Sequence, residues 1–185
     1  MPSRLFSFVG GQDGLWRVTK MTRVVGHGLE PVERLAIVNE RIDTVPQGAK
    51  WILRGVTSYE RYVNSDEHQQ LAFAQPPLNR PEATCAALIP IKKADAWWQL
   101  SHDERRRIFE EQSAHIATGL KYLPAVARRL HHGYELEEEF DFLTWFEYAP
   151  SDAAQFENLV AELRRTEEWR FVTREVDFRL QRALS

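Results

Sequence analysis

The sequence predicts an α+β chain in which a split strand-helix motif occurs twice, the first copy abbreviated. Three observations predict it. Residues 83–180 alternate between apolar or aromatic runs of strand length and amphipathic runs of helix length, in the order β-α-β-β-α-β. The stretch QPPLNRPEAT (75–84) holds three prolines, which break both helix interiors and central strands. It splits the chain into halves of nearly equal length, 1–82 and 83–185, read as parts of a single domain. Finally, 185 residues at 43% hydrophobic content suffice for one sizeable core, or for two small halves packed together.

In the first half, RLFSFVGG (4–11) and LWRVTKMTRVV (15–25) read as strands. EPVERLAIVNERID (30–43) reads as a helix, and KWILRGVTSYERYV (50–63) as a strand of alternating character. The second half is clearer. ATCAALIPIKK (83–93) is a continuous apolar run with a polar end, a buried-strand signal. SHDERRRIFEEQSAHIATG (101–119) reads as a helix: Ser101 and Glu104 form an S-x-x-E capping box, and Gly119 marks a stop. Ile108, Phe109, Gln112, His115 and Ile116 share one face of it, with Arg105, Arg106 and Glu110 mostly on the other. YLPAVARRLHH (122–132) reads as a strand, with Pro124 at its start or on an edge. FDFLTWFEYA (140–149) is an aromatic-rich strand, DAAQFENLVAELRRT (152–166) a helix, and WRFVTREVDFRL (169–180) the last strand. This is the ferredoxin-like order, and two such halves side by side give a barrel-like α+β unit.

Composition narrows the function. Lys plus Arg is 24 against 27 for Asp plus Glu, a net charge of −3, so there is no basic surplus to make nucleic acid the main partner. The single cysteine, Cys85, makes no internal disulfide and reads as a small core residue. The N-terminus has no long apolar region of the signal-peptide kind, and no apolar run approaches the roughly 20 residues needed to cross a bilayer. The expectation is a cytoplasmic protein with no membrane partner.

Three histidines and two adjacent arginines crowd into residues 113–133. Strand alternation puts Arg128 on one face with Val126 and Leu130. An arginine on an apolar face must meet an anionic partner or line a cavity. Alternation alone favours the plainer case, a bridge to a core carboxylate such as Glu147 or Asp141. His131 and His132 point to opposite faces, which is poor geometry for one metal, and both read as surface or interface residues. His115 lies on the inward edge of its helix, one turn before Gly119, where a flat ligand could approach closely. One histidine cannot hold a bare zinc ion, but it can hold haem iron, whose other donors come from the porphyrin. A core histidine bonded to a backbone carbonyl remains the simpler reading of His115.

The run CAALIPIKKADAWWQLSHDERRRIFEEQSAHIATGLKYLPAVARRLHHG, with FDFLTWFEYAP and TEEWRFVTREVDFRL, closely resembles the chlorite dismutase family, in its short-chain branch. GLWRV, VTSYERYV and QPPLNRPEAT extend the resemblance into the first half. It implies a dimeric α+β barrel of two ferredoxin-like halves, haem b in the C-terminal half, and conversion of chlorite to chloride and dioxygen. It implies that His115 is the axial iron ligand and Arg128 the arginine over the open iron face. It places Glu168 on the ligand histidine and Lys93 on that glutamate, with Trp97 and Trp98 beside the haem and Gln75 near the arginine. Tyr59, Arg61 and Tyr62 are candidates for the propionates. GYELEEEF (133–140) is less typical and reads as a loop of little consequence for the site. The implied partners are chlorite or another small anion and a second copy of the chain. The alternatives are a haem peroxidase, or a haem-binding protein without enzymatic activity, on the same fold.

Overall fold

The computed structural model describes residues 4–57, 76–112, 115–122 and 125–184. Eight strands form a closed barrel: β1 (Leu5–Gly11), β2 (Trp16–Val25), β3 (Arg34–Val38), β4 (Ala49–Val56), β5 (Cys85–Lys93), β6 (Val126–His132), β7 (Phe142–Tyr148) and β8 (Val172–Arg182). Their order around the barrel is β1-β3-β2-β8-β5-β7-β6-β4, with antiparallel neighbours throughout. The expected α+β barrel of ferredoxin-like type is therefore present.

Period-2 alternation builds two cores on one sheet. Leu88, Leu143, Trp145, Val176 and Phe178 point into the barrel, where Phe8, Trp16, Leu35, Trp51 and Leu53 meet them from the N-terminal strands. Ile89, Ile91, Phe142, Phe146 and Tyr148 point outward and are covered by helix. The covering helix is α4 (Ala153–Leu163), whose Phe156, Leu159, Val160 and Leu163 are buried at the spacing of one helical face. Each such large apolar side chain taken out of water contributes about 1.5–3 kcal/mol.

The helix expected over 30–43 is not there; Arg34–Val38 forms β3. The physical reason is tertiary. Leu35 lies opposite Trp16 of β2 and is buried inside the barrel, while β3 also pairs with β1 from Ser7↔Val38 to Gly11↔Arg34. Pairing on both sides overrides the weak helical propensity of the segment. Residues 58–63 of the strand expected over 50–63 lie outside the described residues; the described part ends at Val56.

After β5 come α1 (Asp95–Gln99) and the helix expected over 101–119, which is not continuous. It divides into α2 (His102–Arg106), a π-helical turn (Arg107–Gln112) and α3 (His115–Lys121). The capping box forms: the Glu104 N–H donates to the Ser101 hydroxyl at 3.2 Å, and the Ser101 N–H donates to the Glu104 carboxylate at 2.8 Å. Gly119 is not the stop, since α3 runs on to Lys121, and β6 accordingly starts at Val126 rather than at 122.

The segment 133–140 is more firmly held than a loop. A 3₁₀ turn (Tyr134–Leu136) leads to Glu138, paired with Arg54 of β4 at 3.0 Å, and Glu139, paired with Arg174 of β8 at 2.8 Å. The segment thus ties the β6–β7 connection to strands from both halves of the chain.

Candidate functional site

Arg128 lies opposite Phe146 on β7, and Phe146 lies opposite Ala87 on β5. This puts the half-buried Arg128 on the outward face, toward the helices rather than the barrel interior. Its guanidinium enters a cleft whose floor is Ile89, Ile91, Thr144 and Phe146, and whose far side includes Trp169 and Glu175. From β6 to β8 is three strand spacings, about 14 Å, so the floor is wide as well as apolar. The guanidinium rests against α3: a Cβ placed on Gly119 would stand 2.8 Å from Nη1. Glycine at 119 is what permits this approach. Positions 115 and 119 are one helical turn apart and share that face of α3. The side chain of His115 itself lies outside what is described.

The core carboxylates named as bridging partners for Arg128 are engaged with other groups. Glu147 sits on the opposite sheet face, across from Ala127, and accepts from Trp145 Nε1 at 2.8 Å and the Asn79 N–H at 2.6 Å. Asp141 accepts from the Lys93 N–H at 2.7 Å and from Trp98 Nε1 at 3.2 Å.

Beside the cleft sits a buried ion pair. Lys93 Nζ lies 2.6 Å from Glu168 Oε1, with side chains 2% and 3% exposed. Lys93 closes β5; Glu168 opens a 3₁₀ turn, Glu168–Phe171, immediately before β8. Burial pushes the Lys93 ammonium below the usual lysine range, and the Glu168 carboxylate works against that. The ammonium also lies 3.5 Å from the centre of the Trp97 ring. Trp97 packs edge-on against Phe171 of the same turn. Trp98 stacks on Tyr134 at 3.6 Å and is bonded through Asp141 to the backbone of Lys93.

Four of the expected site residues, Lys93, Trp97, Trp98 and Glu168, thus form one cluster. Arg128 lines the adjoining cleft, and the two regions meet at Trp169, the residue after Glu168. Gln75, Tyr59, Arg61 and Tyr62 lie outside the described residues. Of the apolar residues near Arg128, Phe146 lines the cleft, whereas Leu130 is 39% exposed and Trp145 faces the barrel interior.

His131 and His132 are not surface residues; both are buried. His131 sits edge-on to Phe6 and Phe8, accepts from Arg129 Nε at Nε2 (3.1 Å) and therefore donates from Nδ1 to the Leu143 carbonyl (3.1 Å). Burial, with help from the Arg129 charge, brings its pKa down to about 3. His132 packs edge-on against Phe142. The reason is that aromatic rings cover both faces at the end of β6: Phe6 and Phe8 on His131, and Phe142 on His132. Sequence reasoning missed Trp169 and Glu175 as cleft residues; a polar position in the alternation of β8 was the available signal.

The sequence model of the chlorite dismutase family matches residues 39–184. This chain belongs to the chlorite dismutase family. It is 52% identical, at a TM-score of 0.90, to a dimeric chlorite dismutase from Nitrobacter winogradskyi, covering 96% of this chain and 99% of that one. It is 30% identical over 124 residues to the chlorite dismutase of Ideonella dechloratans. That match takes in 66% of this chain but 41% of the relative, so the chain spans under half that relative's length. A mutant chlorite dismutase of Candidatus Nitrospira defluvii in complex with cyanide, 18% identical with a TM-score of 0.70 over 100% of this chain and 92% of that one, shares the fold. No helix among the described residues is long and apolar enough to cross a membrane.

The lining of the cleft is compatible with the haem that the resemblance implies. Among the described residues no cluster of three or more histidine, cysteine, aspartate or glutamate side chains could hold a bare metal ion. What the chain offers instead is a broad apolar floor, indole rings at the margin, one guanidinium and a buried carboxylate–ammonium pair. Such a surface suits a flat macrocycle that brings most of its own metal donors.

Proposed function

We propose that the chain is a haem b-dependent chlorite dismutase that converts chlorite to chloride and dioxygen (ClO₂⁻ → Cl⁻ + O₂). The observation that carries the reading is the Arg128 guanidinium laid over Gly119 in an apolar cleft, on the helix face that position 115 shares. Haem, when bound, supplies an iron centre able to take oxygen from the substrate. His115 would hold the iron, and Glu168, fixed by Lys93, would accept from the other ring nitrogen of His115. That bond sets the imidazole tautomer and makes it a stronger donor. Trp97 and Trp98 would flank the group, and Gln75 would lie near the arginine.

Arg128 binds the anion. A guanidinium holds its charge at every working pH and presents a fork of donors that suits a small oxyanion. Its apolar surroundings exclude water and strengthen its field on the substrate. The same cation would hold the substrate-derived anion beside the site through turnover. We read the protein as cytoplasmic and as a homodimer, and the dimeric relative of near-equal length supports the homodimer.

The test is an oxygen electrode with chlorite and the haem-loaded protein. Sustained oxygen release from the wild type, with loss of most turnover or faster inactivation in Arg128→Ala at unchanged haem content, is the expected result. His115→Ala should lose the Soret band. A Soret band with no oxygen release would instead mark a haem carrier, and release of unaltered size and lifetime in Arg128→Ala would remove Arg128 from the chemistry.

A further inference from the structure

Glu175 has no role in the chemistry described so far. It is fully buried on β8, yet it lines the cleft that holds Arg128, three strands away from β6. Its strand neighbour across the sheet is Ile91, and an apolar side chain would suit that wall at lower cost than a carboxylate. Both of its oxygens are committed. Oε1 accepts from Arg164 Nε at 2.8 Å and from Arg164 Nη2 at 2.6 Å, and Oε2 accepts from Trp169 Nε1 at 2.9 Å. Arg164, at the end of α4, is shared with Asp177 at 2.8 Å. The carboxylate is thus fixed from the helix side, and it in turn fixes an indole.

That indole belongs to the residue after Glu168. The turn Glu168–Phe171 is short, and no side chain caps its start. Two side-chain bonds anchor it from opposite directions: Glu168 to Lys93, and Trp169 to Glu175. In a turn this short, release of one residue rotates its neighbour. We propose that Glu175, acting through Trp169, is a positioning residue for Glu168, and that Arg164 holds Glu175 in place for this purpose. The consequence for catalysis rests on the haem reading above, where Glu168 orients the axial histidine. The mechanical claim, that Trp169–Glu175 keeps Glu168 on Lys93, does not.

Two measurements test it on three variants. Trp169→Phe removes the donor and keeps the ring; Glu175→Leu removes the acceptor; Glu175→Gln keeps an acceptor and removes the charge. In haem-free protein, reductive methylation at Lys93 is read by peptide mass spectrometry, with exposed Lys121 as the internal standard. Methylation of Lys93 should rise roughly tenfold in Trp169→Phe and Glu175→Leu, the weight of one charge-assisted hydrogen bond, and by less in Glu175→Gln, whose one amide oxygen can serve Trp169 or Arg164 but not both. In haem-loaded protein, the iron midpoint potential should shift in Trp169→Phe, although that substitution changes no charge. Wild-type methylation in Trp169→Phe overturns the proposal. So does an equal rise in all three variants in step with a lowered Tm, which would mark general loosening. A wild type that takes up no haem defeats the functional reading instead, and the methylation result stands regardless.

Discussion

The two faces of the sheet β8-β5-β7-β6 come from the same residues taken alternately, yet they have become different surfaces. The inner face is sealed: Leu88, Leu143, Trp145 and Phe178 are at most 1% exposed, and Trp145 meets Trp16 at a ring separation of 5.1 Å. The outer face is interrupted. Among Ile89, Ile91 and Phe146 stand Arg128 and Glu175, and the covering helices leave a cleft over them. The difference teaches a division of labour. Stability is concentrated on the inner face, where apolar side chains predominate and the buried polar ones, Glu147 and His131 among them, are bonded within the protein, and chemistry is placed where charged groups of the outer face open onto a cleft.

That division can be broken or sharpened by experiment. Trp145→Ala should have the largest effect on folding, a loss of about 4 kcal/mol by urea titration, from the cavity it leaves. Lys93→Met tests the boundary between the faces. It strands the buried Glu168 carboxylate and should lower stability by about 3 kcal/mol, with haem uptake impaired as well. A third test uses pH. The folded-state pKa of His131, about 3, lies below the ordinary 6.5, so between these values the unfolded chain takes up a proton that the folded one refuses. Stability should therefore fall as pH drops from 6.5 toward 3, by about 2 kcal/mol at pH 5. His131→Phe should remove that share of the slope. Gly119→Ala should have the smallest effect on folding, under about 1 kcal/mol, because the added methyl meets only the end of a flexible side chain. It should nonetheless reduce chlorite turnover by displacing the guanidinium. A large stability loss with turnover intact would contradict the division of labour.

Much of this was legible in the sequence, and for identifiable reasons. In the second half the order of elements read correctly, although the helix over 101–119 is divided and strand starts were misplaced, because its signals are local: the Ser101–Glu104 box, the face of Phe156, Leu159, Val160 and Leu163, and the aromatic run of β7 each report on their own neighbourhood. Arg128 could be placed on its face because alternation needs no partner to be known. β3 failed because its strand character comes from pairing with Ser7 and Trp16 on the two flanking strands, which lie well outside the local sequence window. His131 and His132 failed for a related reason: polarity suggested the surface, whereas aromatic rings cover both faces at the end of β6. Glu175 showed in the sequence only as a polar position in the alternation of β8, because its meaning depends on Arg164 and Trp169 together, and no spacing rule links those residues to the cleft.

Among the described residues, β4 meets β6 at a single pair, Val56↔His132, while β6 is laddered to β7 over its whole length. The guanidinium-bearing strand is thus laddered to β7 within the C-terminal half, while N-terminal side chains reach it as well: Phe6 and Phe8 stand edge-on to His131, and the Arg129 guanidinium lies over Phe6. An engineer reshaping the cleft should therefore leave β7 untouched, because its ladder holds the backbone that carries Arg128.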